Sequence, residues 1–359
     1  MTIEIPYIAA VLKAIAFPVM ALNMIPVLVW IERRGSAFIQ NRIGPNRANI
    51  GSFTFLGLLH PFADAMKFMF KEPFRPENAH PVFYFLAPAL VVIPSLMALA
   101  VIPIADHVWV QGHEISMSVT ELEYGIAYVF AVASIGVLGI AIAGWASNNK
   151  YSLLGGIRST AQMISYELSL GLSVLGVLLI FGTLDLNELA RGQGALLWGV
   201  LPKWGVFLQP VGFLLFVVAC FAEANRLPFD LPEGDSELVA GYHTEYGGFK
   251  FSMFFMGEYV SMVTLASLIA TLFFGGWQVP WMTTTALDAH LGELGRTLSQ
   301  IAAFAVKIGF FLWLFIWVRW TLPRFRYDQL MRLGWKVVLP LALVNILVTA
   351  LVLLLANGF

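Results

Sequence analysis

Carboxyl groups are the side chains of this sequence whose types and spacing are best suited to chemistry. The segment from 222 to 251, AEANRLPFDLPEGDSELVAGYHTEYGGFKF, holds six acids against two basic residues. The six are Glu223, Asp230, Glu233, Asp235, Glu237 and Glu245. Clustered carboxylates repel one another when ionised, so at least one of them should titrate as part of a coupled group. The pattern predicts a proton store that responds to nearby charge, and a solvated acidic loop is the alternative.

Two further acids, Glu167 and Glu258, lie inside apolar runs. A charge at that depth in a membrane costs a few kcal/mol even on lenient scales (about 2.5 kcal/mol or more), so it normally faces a polar interior or works as a proton site. Both residues are therefore candidate proton sites. Lys307 is also placed inside an apolar run, where an acid on a neighbouring helix or subunit is the expected partner.

The segment from 30 to 76 alternates charged residues with aromatic and apolar ones. Asp64 stands one helical turn before Lys67, and the two are spaced for an ion pair. Alternatively, Asp64 supplies a polar lining for an amphipathic ligand, with an apolar wall around it. The wall is Phe62, Ala65, Met66 and Phe68. The basic residues of this segment are also expected at lipid headgroups.

The elements that position these residues are transmembrane helices. The 359 residues are 59% hydrophobic and only 12% charged, whereas soluble domains carry about a quarter charged residues. Runs of about 20 apolar residues cross about 30 Å of hydrocarbon. Eight such runs are predicted, at about 7 to 31, 82 to 104, 123 to 146, 161 to 183, 205 to 223, 251 to 274, 301 to 320 and 337 to 356. We expect an all-α polytopic protein with one membrane domain over residues 1–359.

The distribution of Lys and Arg predicts the orientation. Four connections, 32–81, 146–161, 224–250 and 320–336, hold or border sixteen of these residues, and the opposite connections hold Arg191, Lys203 and Arg296. The four connections are therefore expected to face the cytoplasm, with both termini outside.

Several kinds of redox centre are excluded by composition. A haem in the membrane needs His ligands inside spans, but all six histidines fall in connections. The single Cys220 cannot build a cysteine-ligated cluster. No dinucleotide fingerprint is present, and Gly155 and Gly156 are interpreted as turn glycines. The chain is expected to bind no redox cofactor itself, so a redox role would use a mobile carrier or a partner's cofactor.

Five motifs in order carry a family resemblance. They are ERR with AFIQNRIGPN, then PFADAMK with KEP, GWASNNKYSLLGGIRSTAQMISYE, AEANRLPFDLPEGDSELVAGYHTEYGG, and FFMGEY. Over nearly its whole length the chain resembles the H subunit of respiratory complex I, the proton-pumping NADH:quinone oxidoreductase, and its mitochondrial counterpart. His60 and Asn41 depart from the family pattern, which more often has Gln and an apolar residue at these positions.

The resemblance implies a helix bundle like half of a transporter, with inner loops that line a quinone chamber. It implies that Arg33, Asp64, Ala65 and Arg226 lie at or beside that chamber. The predicted proton path from the chamber is Glu167, Glu223, Asp230, Glu233, Glu237 and Glu258. The implied substrate is a quinone, with NADH, FMN and iron-sulfur clusters on partner subunits. The implied partners are quinone-site subunits of the hydrophilic arm, small antiporter-like membrane subunits and membrane lipid, with no nucleic acid.

The predicted function is to couple quinone reduction in the chamber to proton movement along the acidic path. The predicted location is a bacterial inner membrane, or the mitochondrial inner membrane if the chain is organellar. Two alternatives remain open at this point: the related membrane subunit of an energy-converting hydrogenase, and a stand-alone proton-coupled transporter. The sequence does not distinguish ubiquinone from menaquinone.

Overall fold

The computed structural model describes residues 5–110, 112–197, 199–231, 234 and 238–357. These residues form twelve α-helices: α1 Ile5–Ile39, α2 Leu59–Phe70, α3 Pro81–Ala98, α4 Gly125–Ala146, α5 Lys150–Phe181, α6 Leu186–Gly192, α7 Gly205–Leu208, α8 Pro210–Glu223, α9 Gly248–Phe273, α10 Thr284–Thr321, α11 Tyr327–Leu333 and α12 Leu339–Asn357. Two short antiparallel hairpins pair β1 Val108–Val110 with β2 His113–Ile115, and β3 Leu196–Leu197 with β4 Leu201–Pro202. The expected all-α architecture is confirmed.

Seven helical segments of the described residues are long and apolar enough to cross a membrane. They correspond to α1, α3, α4, α5, α9, α10, and α11 joined to α12 through a π-helical turn at Gly334–Val338. The eighth predicted span is shorter. It consists of α7 and the 14-residue α8, separated at Gln209, and α8 alone is about 21 Å long at 1.5 Å per residue.

Helices extend beyond the apolar runs that predicted them. α5 begins at Lys150, where the Asn149 side chain accepts a hydrogen bond from the Tyr151 N–H, so most of the expected connection 146–161 is helical. α10 begins at Thr284, seventeen residues before its predicted start at 301, but it is kinked at Gly292 (φ 68°, ψ 175°), so the helix that contains the predicted run begins after Gly292. Hydropathy marks the part of a helix that suits lipid, whereas backbone hydrogen bonding continues through the polar residues beside it.

α9 is the central helix of the bundle. In its most apolar window 72% of the residues are buried inside the chain, against 11% for α1 and 17% for the last membrane helix. It packs on α3 and α10, while α5 packs on α4, α8 and α12. The peripheral helices expose broad apolar faces, as expected for surfaces that meet lipid or other membrane subunits.

Gly155 and Gly156 are not turn glycines, as the sequence interpretation had them, because both lie within α5. A Cβ atom on Gly155 would stand 2.6 Å from the Gly241 Cα, and one on Gly156 would stand 3.1 Å from the Gly144 Cα. Small residues let backbones approach closely in membrane bundles. These two glycines therefore seat α5 against α4 and against the connection 224–250.

The four basic connections meet at one end of the bundle. Hydrogen bonds join Ser152 Oγ to the Tyr242 carbonyl at 2.8 Å, Lys250 Nζ to the Phe74 carbonyl at 3.4 Å, and Phe325 N–H to the Pro228 carbonyl at 3.1 Å. At the other end, Arg296 donates to the His107 carbonyl and Lys13 donates to the Ser116 carbonyl. The seven candidate spans and the shorter α7–α8 segment connect the two ends.

Candidate functional site

A large cavity of about 530 Å³ opens between α1, α2 and α9. Helix α2 lies beside it and presents positions 61, 64, 65 and 68, whose spacing places them on one helical face. Most of the lining is apolar, and the polar part is Glu32, Arg33, Asp64, Ser252, Tyr259 and Arg319. We call this space the first cavity. Its size and lining suit an amphipathic organic ligand.

Asp64 both forms the expected ion pair and lines a cavity, but only Ala65 and Phe68 of the expected apolar wall line it, while Phe62 and Met66 are exposed outside the lining. The Asp64 carboxylate lies 2.5 Å from Arg33 Nη1 and 3.5 Å from Lys67 Nζ, and it also lines the first cavity beside Ala65. The structure thus brings Arg33, Asp64 and Ala65 together at the lining of one cavity. Lys67 is exposed and does not line the cavity.

A second, smaller cavity of about 80 Å³ lies inside the bundle. Its lining includes three carboxylates that come from three helices: Glu167 of α5, Glu223 of α8 and Glu258 of α9. Most of the lining is apolar, but the volume has room for several water molecules beside the carboxylates. Glu167 and Glu258, the two acids inside apolar runs, therefore share one compartment with Glu223 of the acidic segment, and we call it the second cavity.

Arg226, which was expected at the chamber, lines neither cavity but lies between them. It is only 2% exposed, and its Nη1 lies 3.1 Å from Glu32 Oε2 while its Nε lies 2.7 Å from Glu258 Oε1. Glu32 lines the first cavity and Glu258 lines the second. The guanidinium also stacks over the Tyr259 ring, at 4.4 Å from its centroid. A single buried cation thus contacts one carboxylate from each compartment.

Glu32, Tyr259 and Arg319 are functional candidates that sequence reasoning missed. Arg319 Nη1 pairs with Glu32 Oε1 at 2.5 Å, and the Tyr259 hydroxyl donates to Glu32 Oε2 at 2.8 Å. Glu32 could have been recognised from the sequence, because it is an acidic residue at the end of the first apolar run. It was hidden by the adjoining arginines, which resemble an ordinary basic flank of a span.

The other two acids of the second cavity, Glu167 and Glu223, have different polar contacts from Glu258. Ser134 Oγ donates to Glu167 Oε1. Glu223 Oε2 is buried and has no hydrogen-bond partner among the residues that the structure describes. Neither carboxylate forms an ion pair within the described ranges, in contrast to Glu32 and Glu258. Neither carboxylate is therefore needed to neutralise a cation among the described residues.

The remaining predicted acids separate into two groups. Asp230 lies outside the lining of both cavities and pairs with Arg324 at 3.2 Å. Burial raises the pKa of Asp230, and Arg324 partly opposes this rise. Glu233 and Glu237 lie outside the described residues.

The acid partner expected for Lys307 is not found in this chain's described residues. Its ammonium group instead donates to the carbonyls of Phe274, Gly276 and Gln278, at 2.7 to 2.8 Å. These carbonyls follow the last turn of α9, where a cation is favoured by the helix dipole. Lys307 therefore secures the end of the central helix.

The fold and the site together define a polytopic helical membrane protein in which a mostly apolar cavity joins a buried row of charged side chains. Residues 12–350 match the family model NADHdh, described as NADH dehydrogenase. The chain is 46% identical to the H subunit of the NADH-quinone oxidoreductase of Bdellovibrio bacteriovorus, over 96% of each chain. It is 47% identical to the H subunit of the Salinibacter ruber enzyme over 90% of each, and 47% identical to NADH-quinone oxidoreductase subunit 8 of Rhodothermus marinus over 90% of this chain and 91% of that one. The chain belongs to the NADH dehydrogenase family.

Proposed function

We propose that this chain is the quinone-site membrane subunit of a proton-translocating NADH:quinone oxidoreductase, and that quinone binds in the first cavity. The lining of that cavity is mostly apolar, which suits a ring with an isoprenoid tail. The ion pair of Arg33 with Asp64 offers polar groups for the quinone oxygens. Electrons come from a partner subunit, because quinone reduction needs a donor that this chain is not expected to hold.

The observation that carries the coupling role is the contact of Arg226 with Glu32 and Glu258. Quinone and quinol are both neutral, but the two protons that accompany the two electrons are taken from groups around the cavity, so the charge near Glu32 changes during turnover. Interactions between charges are strong in a dry interior. A change in the strength of the ion pair between Glu32 and Arg226 therefore alters the electrostatic field at Glu258. The carboxylate of Glu258 lines the second cavity.

The proton path continues in the second cavity. A proton gained or lost near Glu258 changes the charge seen by Glu223 and Glu167, which line the same space. Glu167 also lines a groove of about 550 Å³ on the outer face of α4 and α5, and it is the proposed exit toward neighbouring membrane subunits. Asp230 is proposed to tune this path from its edge.

The proposed setting is the inner membrane, with both termini outside and the four basic connections against the hydrophilic arm. NADH, FMN and iron-sulfur clusters then belong to partners, and the small antiporter-like subunits adjoin α4 and α5. The related hydrogenase subunit and the stand-alone transporter are less well supported, because the relatives are named as subunits of NADH-quinone oxidoreductases.

Extraction in mild detergent, followed by turnover assays, tests the proposal. The tagged chain should copurify with several partners, and the purified complex should show quinone-dependent NADH oxidation that a quinone-site inhibitor blocks. Isolation as a single polypeptide would support the transporter. A complex that oxidises hydrogen and does not reduce quinone would support the hydrogenase subunit.

A further inference from the structure

His60 makes two unusual contacts at the start of α2. Its Nε2 atom lies 3.0 Å from the backbone N–H of Arg47 and 3.0 Å from that of Ala48. Two donors on one ring nitrogen require that nitrogen to be an unprotonated acceptor, so the neutral ring carries its proton on Nδ1. His60 precedes Pro61, the first residue of α2 that lines the first cavity.

The segment from 44 to 48 is held against α2 by more than His60. Gly57 has a φ of 87°, and a Cβ atom there would stand 1.9 Å from the Pro45 carbonyl oxygen. On the other side, Trp30 Nε1 donates to the Leu56 carbonyl at 3.0 Å. The turn that starts α2 is therefore clamped between α1 and the segment 44–48, and His60 supplies the hydrogen bonds of the second contact.

We propose that His60 is a pH-sensitive positioning residue for quinone binding, which rests on the function proposed above for the first cavity. Imidazole side chains change charge between about pH 5 and 8. Protonation of Nε2 removes the hydrogen-bond acceptor. The new Nε2–H then faces the backbone N–H groups of Arg47 and Ala48, which cannot accept a hydrogen bond. The segment 44–48 is then released, α2 loses one side of its clamp, and the wall formed by Asp64 and Ala65 is less well placed.

Several charged groups lie on the elements that His60 joins. Asp64 and Lys67 stand on α2, Arg33 and Arg34 on α1, and Arg42 and Arg47 in the loop. Asp64 is already paired with Arg33 and Lys67. His60 is the member of this group whose working contacts require the neutral form, so substitution of His60 alone should change the pH response.

The test compares two variants in the assembled complex. His60→Gln keeps a side-chain acceptor that cannot be protonated, and His60→Leu removes the acceptor. At pH 8, His60→Leu should raise the KM for a short-chain quinone roughly tenfold, equivalent to about 1.4 kcal/mol, with little change in kcat. His60→Gln should behave like the wild type. Between pH 8 and pH 6 the wild-type KM should rise, while the His60→Gln value stays nearly flat.

Hydrogen exchange supplies a readout that does not depend on quinone. After correction for the intrinsic exchange rate, the Arg47 and Ala48 amides should be protected in the wild type at pH 8. This protection should fall at pH 6 and in His60→Leu, and it should persist at both pH values in His60→Gln. Gly57→Ala should also release the segment, by displacing Pro45, without changing a titratable group.

Two kinetic results would overturn the role of His60: a wild-type pH dependence of KM in His60→Gln, or an unchanged KM in His60→Leu. Amide protection that is the same in both variants as in the wild type at each pH would also overturn it. The proposed function fails separately, if the wild-type complex does not reduce quinone. In that case the exchange experiment still decides whether His60 holds the segment.

Discussion

Buried Arg226 shows how this chain stabilises charge inside a membrane domain. Its guanidinium contacts Glu32, Glu258 and the face of Tyr259. Removing one partner of a buried ion pair leaves the other charge uncompensated, which costs about 3 to 5 kcal/mol. Glu167 and Glu223 have no such partner among the described residues. Residues of the same chemical type thus have different expected responses to substitution.

Glu167→Gln and Glu223→Gln should assemble near wild-type levels and lose most quinone-linked proton pumping. Glutamine resembles the protonated carboxyl group in shape and hydrogen bonding, but it cannot exchange a proton. Proton uptake and NADH:quinone turnover in reconstituted vesicles, beside complex abundance on a native gel, provide the measurement. Full pumping by either variant would remove that residue from the path.

Glu32→Gln is the matched comparison, with the opposite expectation for assembly. The substitution weakens the ion pairs with Arg226 and Arg319 at the same time, so we expect a loss of stability of about 3 to 5 kcal/mol. Complex abundance should fall together with turnover. Normal abundance of Glu32→Gln would show that the buried cations find other partners, and would contradict the ion-pair account of this cluster.

Arg33→Ala and Asp64→Asn should lower quinone reductase activity by roughly five- to tenfold, because each removes half of the pair that lines the first cavity. Electron transfer from NADH to a hydrophilic artificial acceptor should survive, since that route bypasses the cavity. Lys67→Ala is the control, because Lys67 contacts Asp64 but is exposed outside the cavity. Equal loss of both activities in normally assembled complex would argue against a quinone-side role.

Helix α5 determines how the elements of the site come together. It carries Glu167 into the second cavity, and its first turns pack on the connection 224–250 through Gly155 and Ser152. That connection contains Arg226 and leads into α9, which bears Glu258. The spacing between the two cavities therefore depends on a contact between backbones, where no side chain fits.

Gly155→Ala should destabilise the protein by about 1 to 3 kcal/mol through overpacking against Gly241. Gly171→Ala, on the same helix, is the control: a Cβ atom there meets nothing within 4 Å, and Ala is the better helix former by about 1 kcal/mol. Thermal inactivation of the purified complex compares the two. Equal stability of both variants would mean that α5 can shift away from Gly241 without cost.

The whole molecule groups its four basic connections at one end, and the eight-crossing prediction requires the short helix α8 to supply one of the crossings. The 14 residues of α8 span less than the hydrocarbon layer, so the passage also needs α7 or a locally thin membrane. The number of crossings sets the side of each terminus. Topology is therefore the property of the whole chain most open to a direct test.

Single cysteines at Val200 and Asp328, in a Cys220→Ser background, should react with an impermeant reagent from opposite faces of the membrane. Val200 is 68% exposed and the Asp328 side chain is 55% exposed, so both are accessible in this structure. Asp328 should label from the cytoplasmic side. The Cys220→Ser protein alone is the control and should not label. Labelling of both cysteines from one face would exclude the eight-crossing arrangement.

The amino-acid sequence by itself determined the membrane class, the approximate spans, and the carboxylates worth attention. These are properties of local composition, since a run of apolar residues either suits about 30 Å of hydrocarbon or does not. The sequence also placed Glu167 and Glu258 within apolar runs. A charged side chain is costly there, so both were expected to have a function.

Only the tertiary structure decided which charges meet. Arg226 and Glu32 are 194 residues apart, and no periodicity relates positions at that separation. The same holds for the glycines of α5, whose neighbours come from α4 and from a distant connection. Local patterns fix the face and depth of a side chain, whereas packing of helices against one another selects its partner. The bridge between the two cavities is a product of that packing.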